Sequence, residues 1–157
     1  MRSLILFLVC AVVVSCKKNE CIRAEYSYTF SKNKKIDTTR AGVYFLTAQI
    51  NPGTNTVFSY SLHGGSCPNR IDGGGGERLV FEISANTGNF NYANADLQGI
   101  ECYYQNTTWG GTPDAVKVTQ GTLQGNKISD DKWDIKVDLI IPGSGAELSF
   151  TKQFSVQ

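Results

Sequence analysis

KWDIKVDLII, residues 132–141, is the stretch that decides the fold. Trp133, Ile135, Val137, Leu139 and Ile141 take alternate positions, and Lys132, Asp134, Lys136 and Asp138 take those between. Successive side chains of an extended chain point to opposite faces, so this period of two gathers the bulky apolar groups on one face and the charges on the other. A helix of the same length would scatter both around its circumference. The stretch therefore predicts a half-buried β-strand. PGSG (142–145) turns the chain, and ELSFTKQFSV (147–156) returns with Leu148, Phe150, Phe154 and Val156, which predicts a hairpin.

The same period recurs upstream. CIRAEYSYTF (21–30) puts Ile22, Ala24, Tyr26, Tyr28 and Phe30 on one face, and SKNKK (31–35) after it reads as a solvated turn. VYFLTAQI (43–50) is nearly continuous in apolar residues and stops at NPGTNT (51–56), where Pro supplies a fixed φ and Gly a positive one. VFSYSL (57–62) follows with Phe58, Tyr60 and Leu62 alternating, so these two runs predict a further hairpin. RLVFEIS (78–84) alternates Leu79, Phe81 and Ile83, and GIECYYQ (99–105) alternates Ile100, Cys102 and Tyr104. In AVKVTQGTLQG (115–125) Gly121 reads as a bulge. Helical spacing is nowhere sustained; the nearest case is one turn's worth over Asn91–Leu97. Short strands separated by turn signals predict an all-β fold, an antiparallel β-sandwich ahead of a lipocalin-like β-barrel. Periodicity does not decide closure.

The amino-terminal segment carries an address. Met1-Arg2-Ser3 is followed by an apolar run from Leu4 to Val14, shorter than the roughly 20 residues a membrane span needs. A positive start, a short apolar run and a small residue before a cut form the pattern of a secretory signal. VVSC (13–16) then resembles the lipobox of bacterial lipoproteins, departing from it in Val at the first position, where Leu is usual, and Val at the second. The resemblance implies that Cys16 receives a diacylglyceryl thioether, becomes the first mature residue and is acylated at its amino group, palmitate being a typical chain. It divides the chain into a signal peptide (1–15), a lipidated terminus and tether (16–21) and a single all-β domain (22–157). It also implies the cell envelope and an outer membrane. Lys17 and Lys18 precede the lone acid Glu20, which favours the periplasmic face over the cell surface. The last third, Gly121–Gln157, looks like the closing hairpin of a set of uncharacterised bacterial lipoproteins; that likeness supports the fold and carries no activity.

A net charge of +1 over 157 residues leaves no basic footprint for nucleic acid. Export makes disulfides permissible, and the mature cysteines besides Cys16 are Cys21, Cys67 and Cys102. Pairing of Cys67 with Cys102 is favoured, with Cys21 bonded to one of them as the alternative. No metal or cofactor is expected, because the cysteines are widely spaced and His63 is the sole histidine. RIDGGGGERL (70–79) has the glycines of a phosphate loop but leads into a strand, where such loops open a helix. Asp130, Asp131 and Asp134 lack the glycine and terminal glutamate of a calcium loop.

One surface is singled out for a ligand. CYYQNTTWGGTPD (102–114) carries Tyr103, Tyr104 and Trp109 into a loop rich in Asn, Thr and Gly. Neighbouring tyrosines in a strand face opposite ways, so at least one should look outward. Aromatic faces beside the amides of Gln105 and Asn106 suit stacking on sugar rings. The expected function is a membrane-anchored binding or accessory module for a glycan or an envelope protein. A structural envelope protein without a small ligand is the alternative, and a hydrolase ranks third because the acids show no catalytic pattern.

Overall fold

A computed structural model describes residues 21, 23–41, 45–65, 75–107 and 114–157. The chain is all-β. Its strands are β1 (Glu25–Ala41), β2 (Phe45–His63), β3 (Gly76–Ile83), β4 (Phe90–Ala93), β5 (Cys102–Thr107), β6 (Ala115–Lys117), β7 (Gln120–Lys127), β8 (Lys132–Ile140) and β9 (Glu147–Val156). Among the described residues one short helix, α1 (Ala95–Gln98), interrupts them. The strands form one sheet in the order β4-β7-β8-β9-β1-β2-β3-β5-β6. All neighbours are antiparallel except β1 and β9, which run parallel and touch through two residue pairs, Thr29↔Ser155 and Phe30↔Val156. The sheet is therefore mixed. It curls into a half-barrel whose two halves face each other across one interior, an arrangement between the sandwich and the closed barrel.

The alternating pattern in β8 is realised as read: Trp133, Ile135, Val137 and Leu139 are buried and the charges between them lie outside. The β8–β9 hairpin pairs from Lys132↔Ser155 to Ile140↔Glu147. On the other half, Phe30, Phe58, Phe81 and Cys102 lie opposite one another in four consecutive strands and make a buried rung. The ring of Phe58 stacks 4.8 Å from Phe81, and the edge of Trp133 meets it at 5.4 Å from the far half. Leu97 of α1, and Val118 where the chain crosses from β6 to β7, complete this interior.

Two turn readings are corrected. SKNKK and NPGTNT are strand: β1 and β2 run through them as one long pair, from Glu25↔His63 to Ala41↔Phe45. The expected hairpin between residues 43–50 and 57–62 does not exist, because these runs are two halves of β2. The turn-forming residues are absorbed by an irregularity in which Lys34 lies opposite both Asn55 and Pro52 and Asn33 takes a φ of 56°. Extra residues in one strand bend the pair. Gly53 sits at the bend because a Cβ there would come within 2.7 Å of the Lys35 Cβ.

Beyond the bend the hairpin lies on the outer face of its own sheet. Ile36 and Ala48, with Leu46 and Ile50 beside them, cover Val57, Val80, Tyr103 and Ala115 in a second core. Polar clasps hold the flap: Glu82 accepts the Ile36 amide and the Asn55 side chain, Asp114 accepts the Leu46 amide at 2.7 Å, and Arg78 donates to the Ala48 carbonyl at 3.4 Å.

Gly121 is not a bulge, since β7 and β8 pair through it without a slip. Its φ of 110° and the nearness of the Asp138 carbonyl exclude a side chain. Gly143, with φ 85° in the β8–β9 turn, has open space around it. Gly121→Ala should thus cost about 2–4 kcal/mol through strain and overpacking together, against about 1–2 kcal/mol for Gly143→Ala through strain alone. Urea midpoints measure both; equal losses would show that the close approach to β8 is not what requires a glycine.

Candidate functional site

The inner face of β1, β2, β3 and β5 is laid out in rungs, and its chemistry changes from the buried end to the open end. Above the phenylalanine rung stands Tyr28, Tyr60, Leu79 and Tyr104, and above that Tyr26, Leu62, Glu77 and Asn106. Each residue is two positions along its strand from the one below, so the same face continues and only polarity rises. The Glu77 carboxylate reaches back one rung: Tyr60 donates its hydroxyl to Oε1, and Tyr104 donates to Oε2 at 2.7 Å. Tyr28 stacks on Tyr60 at 5.4 Å, and Tyr26 stacks on Tyr28 at 6.5 Å with nearly parallel rings.

The facing half closes one side of this cluster. Phe150 of β9 lies 4.8 Å from Tyr60 and 5.6 Å from Tyr28. Lys152 shares the inward register of Phe150 and Phe154, yet it is exposed, with its ammonium 5.9 Å from the Tyr28 ring centroid. This is possible because β1 and β9 pair only at their deep ends. The strands part toward the opening, and the gap exposes Tyr26, the outermost ring, to 60%. The result is a mouth with stacked aromatic faces, a carboxylate to accept hydrogen bonds and an ammonium to donate them.

The phenols there are held neutral. Burial first, and the hydrogen bond to Glu77 second, push Tyr60 and Tyr104 above the ordinary phenol range. Tyr28 is raised by burial, then by Tyr26 and Glu77. Neutral phenols and a carboxylate already engaged by two of them suit binding. Among the described residues no group of His, Cys, Asp and Glu is arranged to hold a metal ion.

Tyr103 and Tyr104 require a correction. Neither looks into solvent: Tyr103 is 7% exposed and Tyr104 is 9% exposed. They do point to opposite faces, as alternation demands, but both faces of β5 are covered. Tyr104 belongs to the interior, and Tyr103 lies under the folded-over flap, donating its hydroxyl to Glu101. Trp109, Cys16 and Cys67 lie outside the described residues. The expected Cys67–Cys102 bond is also corrected, because Cys102 is a free thiol with no exposed surface, sealed in the phenylalanine rung. Cys21 is exposed and disulfide-bonded, and its partner is not among the described residues.

The residues missed from sequence are Tyr26, Tyr28, Tyr60, Glu77 and Lys152. Three of them were legible as inward-facing aromatics. Nothing local marked Glu77, whose importance comes from neighbours on two other strands. No family model matches the chain, and neither a curated protein nor a solved structure matches it.

Burial pushes the Cys102 thiol up from 9.0 to about 12, and burial with the Glu101 hydrogen bond pushes Tyr103 from 10.0 to about 12. The unfolded chain releases these protons near pH 9 and 10, while the folded chain retains them. Their contribution to stability is full below about pH 9 and is lost as the pH rises toward 12. The urea midpoint should decline across that window, less steeply in Cys102→Ala. Identical slopes would show that the buried thiol takes no part.

Proposed function

We propose that the chain is a lipid-anchored binding module of the cell envelope, tethered through Cys16, whose ligand is a glycan seated at the tyrosine mouth. Support for the tether is the apolar run that ends in Val13-Val14-Ser15-Cys16, followed by Lys17 and Lys18. Among the described residues no helix is long and apolar enough to cross a membrane. An outer membrane, with the domain on its periplasmic side, fits the basic residues after Cys16.

The observation that carries the glycan reading is the Tyr26–Tyr28 stack at the opening, with Tyr26 60% exposed and Glu77 two strands along the same rung. An exposed ring stacked on a second one is a flat, apolar platform held in place by its neighbour, which suits the C–H face of a sugar. Lys152 can donate beside the Tyr28 ring and Glu77 can accept farther along the rung, as the hydroxyls of a sugar require. An apolar body ringed by a few convergent polar groups is the usual build of a small-ligand site.

Titration calorimetry of the purified domain with peptidoglycan fragments and with soluble envelope polysaccharides tests the ligand. The wild type should bind a member of this set. Tyr26→Ala should weaken that binding about tenfold or more, the equivalent of roughly 1.4 kcal/mol, with its melting temperature unchanged. Absence of wild-type binding, or full binding by Tyr26→Ala, overturns the site. The anchor is tested separately by fractionation and intact mass. Wild-type chain should carry lipid on Cys16 and sediment with membranes, and Cys16→Ala should stay unprocessed or be released.

A further inference from the structure

We propose that Ser61, His63 and Arg78 form a site for an oxyanion, the phosphate or carboxylate group of a small ligand, on the outer face of the sheet. Side chains alternate along β2 and β3, so Leu62 and Glu77 belong to the mouth while these three point the opposite way. Ser61 lies opposite Arg78 in the β2–β3 ladder, and His63 is two residues along β2 on the same face. With Gly76 they line a cavity of about 270 Å³, which has room for several water molecules and so for an oxyanion. Among the described lining residues the one acid is Glu77, whose carboxylate is turned to the other face and taken by Tyr60 and Tyr104.

Arg78 is the residue that calls for an anion. Val80, two positions along β3, is buried under the flap, and Arg78 stands half-buried at the flap's margin. A guanidinium carries five N–H donors in a planar fork. Among the described residues it makes one hydrogen bond, from Nη1 to the Ala48 carbonyl at 3.4 Å, and no carboxylate lies within ion-pair distance of it. None of its nitrogens is both sealed from solvent and unbonded, so the spare donors are reached from outside. Burial lowers its pKa from the ordinary value. A charge partly withdrawn from water gains most from a partner that returns both charge and hydrogen bonds, as an oxyanion held by two parallel N–H bonds does. Ser61 adds a hydroxyl donor, and the exposed His63 adds an imidazole N–H at the rim. Glu25, opposite His63, lies on β1, on the side of β2 away from Arg78. The site faces away from the tyrosine mouth, and the inference stands whatever the mouth binds.

Nuclear magnetic resonance of the ¹⁵N-labelled full chain at neutral pH tests this, with inorganic phosphate, acetate and chloride titrated separately at matched ionic strength. Phosphate or acetate should shift the Arg78 side-chain Nε–H and the Ser61 and His63 amides along one saturable curve, and chloride should not. Saturation by phosphate alone assigns the site to a phosphoryl group, and saturation by both assigns it to oxyanions in general. Arg78→Gln should abolish the saturable shifts. Because Arg78 also holds the flap, Ser61→Ala and His63→Ala at the rim supply the independent readout: each should weaken binding about fivefold, the worth of one hydrogen bond, with an unchanged melting temperature. Shifts that never saturate with either oxyanion, or a wild-type curve in Arg78→Gln or in both rim variants, overturn the site.

Discussion

The curl of the sheet depends on the packing of Phe58. Hydrogen bonding joins the two halves through only two residue pairs between β1 and β9, too short a ladder to fix the angle between them. Phe58 meets Phe30 and Phe81 on its own half and Phe90, Trp133 and Phe154 from the other, with centroids 4.8–6.3 Å apart. Rings at these distances in stacked and edge-on arrangements attract beyond what area burial gives. Gly125 belongs to the same device, since a side chain there would occupy the space of the Phe90 ring. The interior, more than the ladder, holds the halves together.

A second constraint follows from leaving the outer face of β2, β3, β5 and β6 partly apolar. Val57, Val80, Tyr103 and Ala115 would otherwise be open to water on a sheet already buried on its inner side. The bend at Lys34 and Pro52 solves this with the chain's own β1–β2 flap. Glu82 is the clasp: its two oxygens take the Ile36 backbone amide from the flap and the Asn55 side chain from β2 at the bend, so neither is left without an acceptor. The outer face of β8 has no such cover and is correspondingly charged, with Lys136 paired to Asp138 at 3.2 Å.

These two constraints leave the parting of β1 and β9 as the place where aromatic side chains face solvent. At the deep end the strands touch and Phe30 is sealed; a few residues outward they diverge and Tyr26 is exposed. The substitution of tyrosine for phenylalanine along that line follows the water, because a phenol can keep one end wet or hydrogen-bonded while its ring packs. Glu77 is tolerated half-buried because Tyr60 and Tyr104 each donate to it. The proposed mouth is thus a product of how the half-barrel opens.

Much of the fold was legible because alternation is a property of each strand's own covalent geometry. In β8 the odd residues, and in β1 Tyr28 and Phe30, face inward as the period of two requires, and the β8–β9 hairpin follows from the PGSG turn between two such runs. SKNKK and NPGTNT misled because turn-forming residues serve equally in a bulge, and only the partner strand decides which. Tyr103 misled for a related reason. The sequence says that it faces away from Tyr104, but what covers that face is a flap built from residues 34–52, more than fifty positions earlier in the chain. Glu77 is a residue of no distinction in its own strand and a shared acceptor in the folded protein. Periodicity determined by itself which way each side chain points; the meeting of distant segments decided what each one meets, because burial and hydrogen bonding belong to neighbours that local order along the chain does not specify.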